Sequence, residues 1–321
     1  MAEKAIAKSE GRKFDFDNPR IRAALPLIGF LFMIVLFTIL TKGQIVTPNN
    51  LQLQLSQMYM LMIASIGVFF IITMGCLDFS QGSLMGVACI ACCYFSTKNL
   101  FLGIVMGIIV GAAIGALNGW LHVFMQIPSF IVTMSTQFLF RGVVQFLTTK
   151  SPVMANVAMM KLNTMPFMMG VTVICLAVAF FFFRYTSFGA NLKAIGASER
   201  GARFAGIKVT KTKFLVYILA GAITGFAAFI NAIKVLSVTS TGGNQLETQI
   251  LIGLVLGGMP ISGGAKVRFS NIVIGVLMYR FMATGLVMVG LTTQMQQLIQ
   301  GIVFVVMVTL FSDRKSLAVI K

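Results

Sequence analysis

Residues 99–125 read NLFLGIVMGIIVGAAIGALNGWLHVFM, without a single Asp, Glu, Lys or Arg. A helix needs about 20 predominantly apolar residues to cross the hydrocarbon core of a bilayer, and this stretch supplies them in one run. Gly103, Gly107, Gly111, Gly115 and Gly119 recur at every fourth position, so on a helix they form a nearly straight seam along one face. Lipid tails are as apolar as leucine, so helices in a membrane gain nothing by hiding apolar surface from them. Small residues instead let two backbones approach until dispersion holds them. The seam predicts a helix packed tightly inside a bundle, and shorter versions at Gly82/Gly86, Gly221/Gly225 and Gly253/Gly257 extend that expectation to its neighbours.

The rest of the chain follows suit. Of its 321 residues 58% are hydrophobic and 10% charged, with mean hydropathy +0.93, whereas a soluble domain carries about 25% charged residues. Apolar runs at 24–41, 52–75, 80–96, 99–125, 128–149, 166–184, 213–234, 247–263, 270–289 and 293–311 predict an all-α, polytopic transmembrane bundle of about ten spans with broken helices. The run at 80–96 is short, and 247–263 reads as a span or as a re-entrant segment. The expected organisation is a cytoplasmic tail at 1–23, a transmembrane domain at 24–311 with a long polar loop at 185–212, and a cytoplasmic tail at 312–321.

The net charge of +17 points to topology and membrane lipid rather than to nucleic acid. The basic residues form short clusters between apolar runs, with no interleaved aromatics. With the termini placed on the cytoplasmic side, Lys and Arg number six before Pro26, seven from Arg184 to Lys213, two at Lys266 and Arg268, and three after Phe311. The opposite side holds five: Lys42, Lys98, Lys150, Lys161 and Lys234. That asymmetry predicts both termini inside. No Gly-x-x-x-x-Gly-Lys-Ser/Thr phosphate loop is present, so ATP is not bound by that route. His122 is the only histidine, and Cys76, Cys89, Cys92, Cys93 and Cys175 all lie in apolar stretches. No metal site and no catalytic constellation is expected, so the chain does not read as an enzyme.

Polar residues interrupt the apolar pattern at a few places. The segment Gly75-Cys76-Leu77-Asp78-Phe79-Ser80-Gln81-Gly82-Ser83 breaks a helix and admits an acid. Such a break at membrane depth is tolerated only against protein or a water-filled cavity. Asp78 and Ser80 therefore read as helix caps, as part of a polar path, or as both. The spacing Gly-x-x-x-x-Ser-x-Gly at 75–82 returns at 257–264, a faint internal repeat of the kind transporters use. Asn118 beside the glycine seam reads equally as a path residue and as an interhelical hydrogen-bonding group. Arg141 and Arg280 fall inside spans and must face the bundle or snorkel; Glu247 suits the positive end of a helix. In the 185–212 loop, Ser198 and Glu199 suit a helix start and Gly206 its end. Ala197, Ala202, Phe204, Ala205 and Ile207 then make one amphipathic face, unless the loop is only a solvated basic anchor.

Four segments carry a resemblance: ITMGCLDFSQGSLMGV (72–87), NGWLHVFMQIPSFIVTMSTQFLFRGV (118–143), FGANLKAIGASERGARFAGIKV (188–209) and LETQILIGLVLGGMPISGG (246–264). In this order and spacing, from about residue 50 to 311, the chain resembles the permease subunit of ATP-binding cassette importers for simple sugars. The resemblance implies a bacterial inner-membrane protein. Its expected partners are a second permease copy (identical or paralogous), cytoplasmic ATPase subunits that bind the ATP, and an extracytoplasmic sugar-binding protein. It implies a substrate path lined from Asp78, Ser80, Ser83, Asn118, Ser129, Phe130 and Thr133. It also makes 185–212 the element that seats in the ATPase, through Glu199, Arg200, Arg203, Ala205 and Ile207. Thr248 stands where the family usually has Asp, Ala283 and Thr284 where an Asn pair is expected, and Arg280 where a small residue is usual. The same machinery with a nucleoside, a branched-chain amino acid or a signalling molecule as cargo is the second reading. A self-contained channel or ion-coupled carrier is the third.

Overall fold

The structure, a computed structural model, describes residues 19–311, with side chains from Leu25 onward. Twelve α-helices follow in chain order: α1 Pro19–Leu40, α2 Pro48–Thr73, α3 Gln81–Ser96, α4 Leu100–Val123, α5 Ser129–Thr148, α6 Met165–Tyr185, α7 Ser187–Ala197, α8 Glu199–Phe204, α9 Val209–Val235, α10 Leu246–Leu256, α11 Ser270–Met288 and α12 Thr293–Phe311. Two short strands, β1 Val153–Met154 and β2 Ser237–Val238, pair antiparallel, Val153 opposite Val238. The chain is an all-α polytopic bundle. Each of the ten apolar runs contains one helix. Seven of these (α2, α4, α5, α6, α9, α11, α12) are long and apolar enough to cross a membrane, and the apolar stretches Leu25–Leu40, Gln81–Ser96 and Leu246–Leu256 are shorter. The first described helix includes Pro19–Ala23, inside the stretch expected as tail; 1–18 and 312–321 lie outside the described residues.

The segment 247–263 resolves into a short helix and a turn. The 11 residues of α10 rise only about 16 Å, roughly half a hydrocarbon core. The chain then turns through Gly257 and Gly258 instead of continuing.

Burial sorts the spans. The most apolar window of α2 is 78% buried within the protein and that of α12 only 6%. Both helices are apolar, but only α2 is surrounded by protein, so α12 presents its apolar surface outward, as lipid permits.

The glycine seam sits where the spacing placed it. It packs against α9, on which Gly221 and Gly225 form the matching groove. A Cβ on Gly111 would drive into the carbonyl oxygen of Gly221, and one on Gly221 into that of Gly111. Gly115 faces the Tyr217 backbone and Gly119 the Phe214 and Tyr217 side chains, and a Cβ on Gly107 would come 3.2 Å from the Gly225 carbonyl. Gly103 at the far end meets Cys92 and Ser96 of α3 instead. Gly253 of α10, and Gly257 just past its end, make the same close approach to Gly275 and Asn271 of α11.

The polar loop differs from expectation in two ways. Its first part is a helix, α7, whose start Thr186 caps by accepting the Phe188 N–H at 3.2 Å. Gly189, Leu192 and Ile195 recur at helical spacing and are buried. Its second part starts and stops as predicted. Ser198 Oγ accepts the Gly201 N–H at 3.1 Å. Gly206 (φ +81) closes α8 with its N–H on the Arg203 carbonyl and the Ile207 N–H on that of Ala202, both at 3.0 Å. The expected single apolar face, however, does not form. Ala202 is buried and Ile207 half-buried, but Ala197 and Ala205 are exposed and Phe204 is 93% exposed. A six-residue helix has fewer than two turns, so residues 202 and 204 project in different directions and only Ala202 turns inward.

Candidate functional site

The break between α2 and α3 holds the polar centre of the bundle. The chain leaves α2 at Thr73, and Gly75 takes the left-handed conformation (φ +76) that a β-carbon disfavours. Asp78 is 1% exposed. Its Oδ1 accepts the Ser80 N–H at 2.8 Å and the Ser80 hydroxyl at 2.6 Å, and its Oδ2 accepts Gln81 Nε2 at 2.6 Å. Asp78 thus closes the turn that leads into α3, but no side chain caps the helix at Ser80, so the capping expected of Asp78 and Ser80 does not form. Asn118 Nδ2 of α4 donates to Ser80 Oγ at 2.7 Å, and Thr224 of α9 donates to Gln81 Oε1 at 2.5 Å. Ser83 bonds back to the Ser80 carbonyl at 2.8 Å. Three helices are tied to one carboxylate, in surroundings where unmatched polar groups are expensive.

Of the residues expected along a path, Asp78, Ser80, Ser83 and Asn118 come together in this closed network. Ser129, Phe130 and Thr133 stand on α5 beside it. Ser129 Oγ accepts the Leu77 N–H at 3.2 Å, and the Phe130 ring meets Phe79 edge-on at 5.4 Å between centroids. Thr133 is buried and bonds to the Ser129 carbonyl at 2.9 Å. Phe130 is about half exposed. Two buried polar atoms next to the network lack partners, Asn118 Oδ1 and Tyr217 Oη. Gln81 and Thr224, both buried, belong to the network although neither stands out by residue type. Gln81 lies inside the quoted break, whereas Thr224 has no local signature. The His122 Nε2 lies 3.5 Å from Cys76 Sγ, while its Nδ1 faces the Ile127 carbonyl at 2.8 Å, so the lone histidine pairs with a thiol just before the break.

A second polar arrangement lies where the segment after β2 returns into the bundle. Arg141 of α5 donates to the carbonyls of Gly242 and Gly243 at 2.8 and 3.1 Å, so this cation faces the bundle. Its fork satisfies two carbonyls of a non-helical stretch, which membrane depth requires. Glu247, in the first turn of α10, is buried and accepts Gln137 Nε2 at 2.8 Å. It lies so close to Gly82 that a Cβ there would strike its carboxylate. The two halves of the sequence repeat also touch. The Gly264 N–H bonds to the Thr73 carbonyl at 3.0 Å, and a Cβ on Gly75 would come 3.1 Å from the Ser262 carbonyl.

The α7–α8 elbow projects from the base of α9. Glu199 accepts Arg203 at 2.8 Å within α8 and Lys213 of α9 at 2.6 Å. Burial pushes the Glu199 carboxyl up, but hydrogen bonds from Lys213 and Arg203, with their charges, outweigh it and hold it below the ordinary carboxylate value. Glu199 is therefore turned toward its own chain. Arg200, Arg203, Phe204 and Ala205 face outward, and Ile207 is half-buried beneath them.

Comparison with known proteins places this arrangement. A family model described as branched-chain amino acid transport system / permease component matches residues 50–308, from the first turn of α2 into the last turn of α12. The ribose import permease protein RbsC of Bacillus subtilis is 30% identical, over 97% of this chain and 98% of its own length. The ribose import permease protein RbsC of Escherichia coli K12 is 28% identical, over 93% and 96%. The xylose transport system permease protein XylH of Haemophilus influenzae is 24% identical, over 94% and 99%. No solved structure matches the chain. With the break after α2, the glycine-packed core and the elbow all inside the matched region, the chain belongs to this family of multi-pass membrane permease components of transport systems.

Proposed function

We propose that the chain is the membrane-spanning subunit of an ATP-driven importer for a monosaccharide. In this reading a second permease copy completes the pathway, a cytoplasmic ATPase binds all the ATP, and an extracytoplasmic binding protein delivers the sugar. Both termini and the α7–α8 elbow lie in the cytoplasm. The observation that carries the reading is the elbow. A phenylalanine 93% exposed, flanked by outward-facing Arg200 and Arg203, is braced on α9 by Glu199, and an exposed aromatic with arginines is the composition of a protein-binding hot spot. The ribose and xylose permeases among its relatives support a sugar as cargo. The orphan Asn118 Oδ1 and Tyr217 Oη supply groups that exchange hydrogen bonds with sugar hydroxyls once the network around Asp78, Ser80, Ser83, Ser129, Phe130 and Thr133 opens. No step of this scheme asks the chain itself to catalyse a reaction.

Reconstitution tests it. Vesicles holding the permease with its ATPase should accumulate sugar only when ATP and the loaded binding protein are both supplied. Uptake by the permease alone would support a self-contained carrier instead. The branched-chain amino acid transport systems for which the family is described favour a second cargo, a branched-chain amino acid. Competition of ribose against leucine in the same vesicles separates the two.

A further inference from the structure

Lys234, near the end of α9, and Arg280, midway along α11, line one cavity of about 340 Å³. Both are cations, and no carboxylate lines the cavity. Among the described residues the acids are Asp78, Glu199 and Glu247, and each is hydrogen-bonded elsewhere. The Lys234 ammonium donates to the Ser56 carbonyl at 3.2 Å. Arg280 reaches Gln249 Oε1 only at 3.5 Å, beyond the normal range for such a bond, and its Nε is buried without a partner. Tyr59, also in the lining, is 7% exposed, and its hydroxyl is likewise buried and unpartnered.

Two cations from different helices, an idle guanidinium N–H and an idle phenol around one small cavity lack a single thing: an acceptor that carries negative charge. A buried guanidinium N–H and a buried phenol O–H without acceptors are unfavourable, and Lys234, itself exposed, adds a second positive charge at the rim of the cavity. A carboxylate would neutralise only one of the two cations. A phosphate group carries up to two charges and several acceptor oxygens. It fits a guanidinium fork on one side and a point-charge ammonium on the other. The volume lies at the lower end of small-molecule sites.

We propose that this cavity binds a phosphate group, held between Lys234 and Arg280 with Tyr59 donating its hydroxyl. The cavity lies among the first turns of α2, the opening of α6 and the end of α9, at one membrane face, where a phosphorylated solute and the headgroup of an acidic lipid are both within reach. It shares no residue with the Asp78 network, and the assignment stands apart from the identity of the cargo.

The test uses the full chain in phosphate-free maltoside detergent, titrated calorimetrically with inorganic phosphate and with glucose 6-phosphate. The expected result is saturable binding, weakened at least tenfold by Lys234→Gln or Arg280→Gln and several-fold by Tyr59→Phe, and unchanged by Lys98→Gln outside the cavity. Tyr59→Phe keeps the ring, so the test survives if a charge variant fails to fold. A parallel arm uses native mass spectrometry of protein extracted from bilayers containing phosphatidylglycerol. One lipid retained by the parent and lost in Arg280→Gln, without solute binding, assigns the phosphate to a headgroup. Absence of saturable binding in both arms, or binding indifferent to all three substitutions, overturns the proposal.

Discussion

The Lys213 ammonium stands 2.6 Å from Glu199 Oε2, so the first residue of α8 is fastened to the opening turns of α9. The bond has a defined pH response. Glu199 is held below the usual carboxylate value by Lys213 and Arg203 in spite of its burial. A carboxylate with a folded pKa below its unfolded value, about 4.3, adds stability that is complete above the unfolded value and disappears as pH falls through the folded one. A spin label at Ala205→Cys should therefore keep constant mobility from neutral pH down to about 5 and loosen below about 4. In Glu199→Gln it should be loose throughout. Mobility that rises between neutral pH and 5 would assign the response to another group.

The elbow's outer surface should separate coupling from folding. Phe204 is 93% exposed, so Phe204→Ser should change stability by less than about 0.5 kcal/mol, as for other surface changes. In vesicles it should abolish the sugar-dependent stimulation of ATP hydrolysis, and Arg203→Glu should do the same. Normal stimulation in Phe204→Ser would remove this surface from the ATPase contact.

The α4–α9 contact should be intolerant of any side chain. Gly111→Leu forces two backbones apart and should destabilise by about 1–3 kcal/mol or more, read as a lowered melting temperature in detergent. Gly142, on α5, faces open space, with nothing within 4 Å of where a β-carbon would stand. Gly142→Ala should therefore be neutral or stabilising by up to about 1 kcal/mol. Equal melting temperatures for the two variants would mean the seam is not packed.

Arg141→Gln should uncover the Gly242 and Gly243 carbonyls. Leaving a buried acceptor unsatisfied costs about 1–3 kcal/mol, and the segment before α10 should become accessible to a cysteine reagent at Gln245→Cys. Protection equal to that of the parent would show that Arg141 does not hold the segment.

Much of this is legible in the sequence because the relevant signals are local. Every apolar run contains a helix, since length and hydropathy are properties of consecutive residues, and the Ser198 and Gly206 caps of α8 follow from one residue type at one position. The glycine pairs on four different helices announce close approach, but not which faces which. That Gly107 and Gly111 meet Gly225 and Gly221 is a tertiary fact. The polar network shows the same boundary. Asp78, Ser80 and Gln81 sit in one conspicuous break, whereas Thr224 is a threonine like others and gains its role only because α9 crosses there. Helix α7 escapes a reading by pattern because its buried positions, Gly189, Leu192 and Ile195, include a glycine that carries no apolar signal. The outward turn of Phe204 escapes it because a period of 3.6 residues says little over so short a helix.

Because α4 and α9 touch backbone to backbone along Gly107, Gly111 and Gly115, that stretch of the pair has little slack. Displacement of the elbow enters α9 at Lys213 and must carry α4 along, and with it Asn118, one residue from Gly119. The network meets that strain at two bonds, from Thr224 of α9 to Gln81 and from Asn118 of α4 to Ser80, so a tug at the surface and the unlatching of the buried carboxylate's network are two ends of a single stiff transmission.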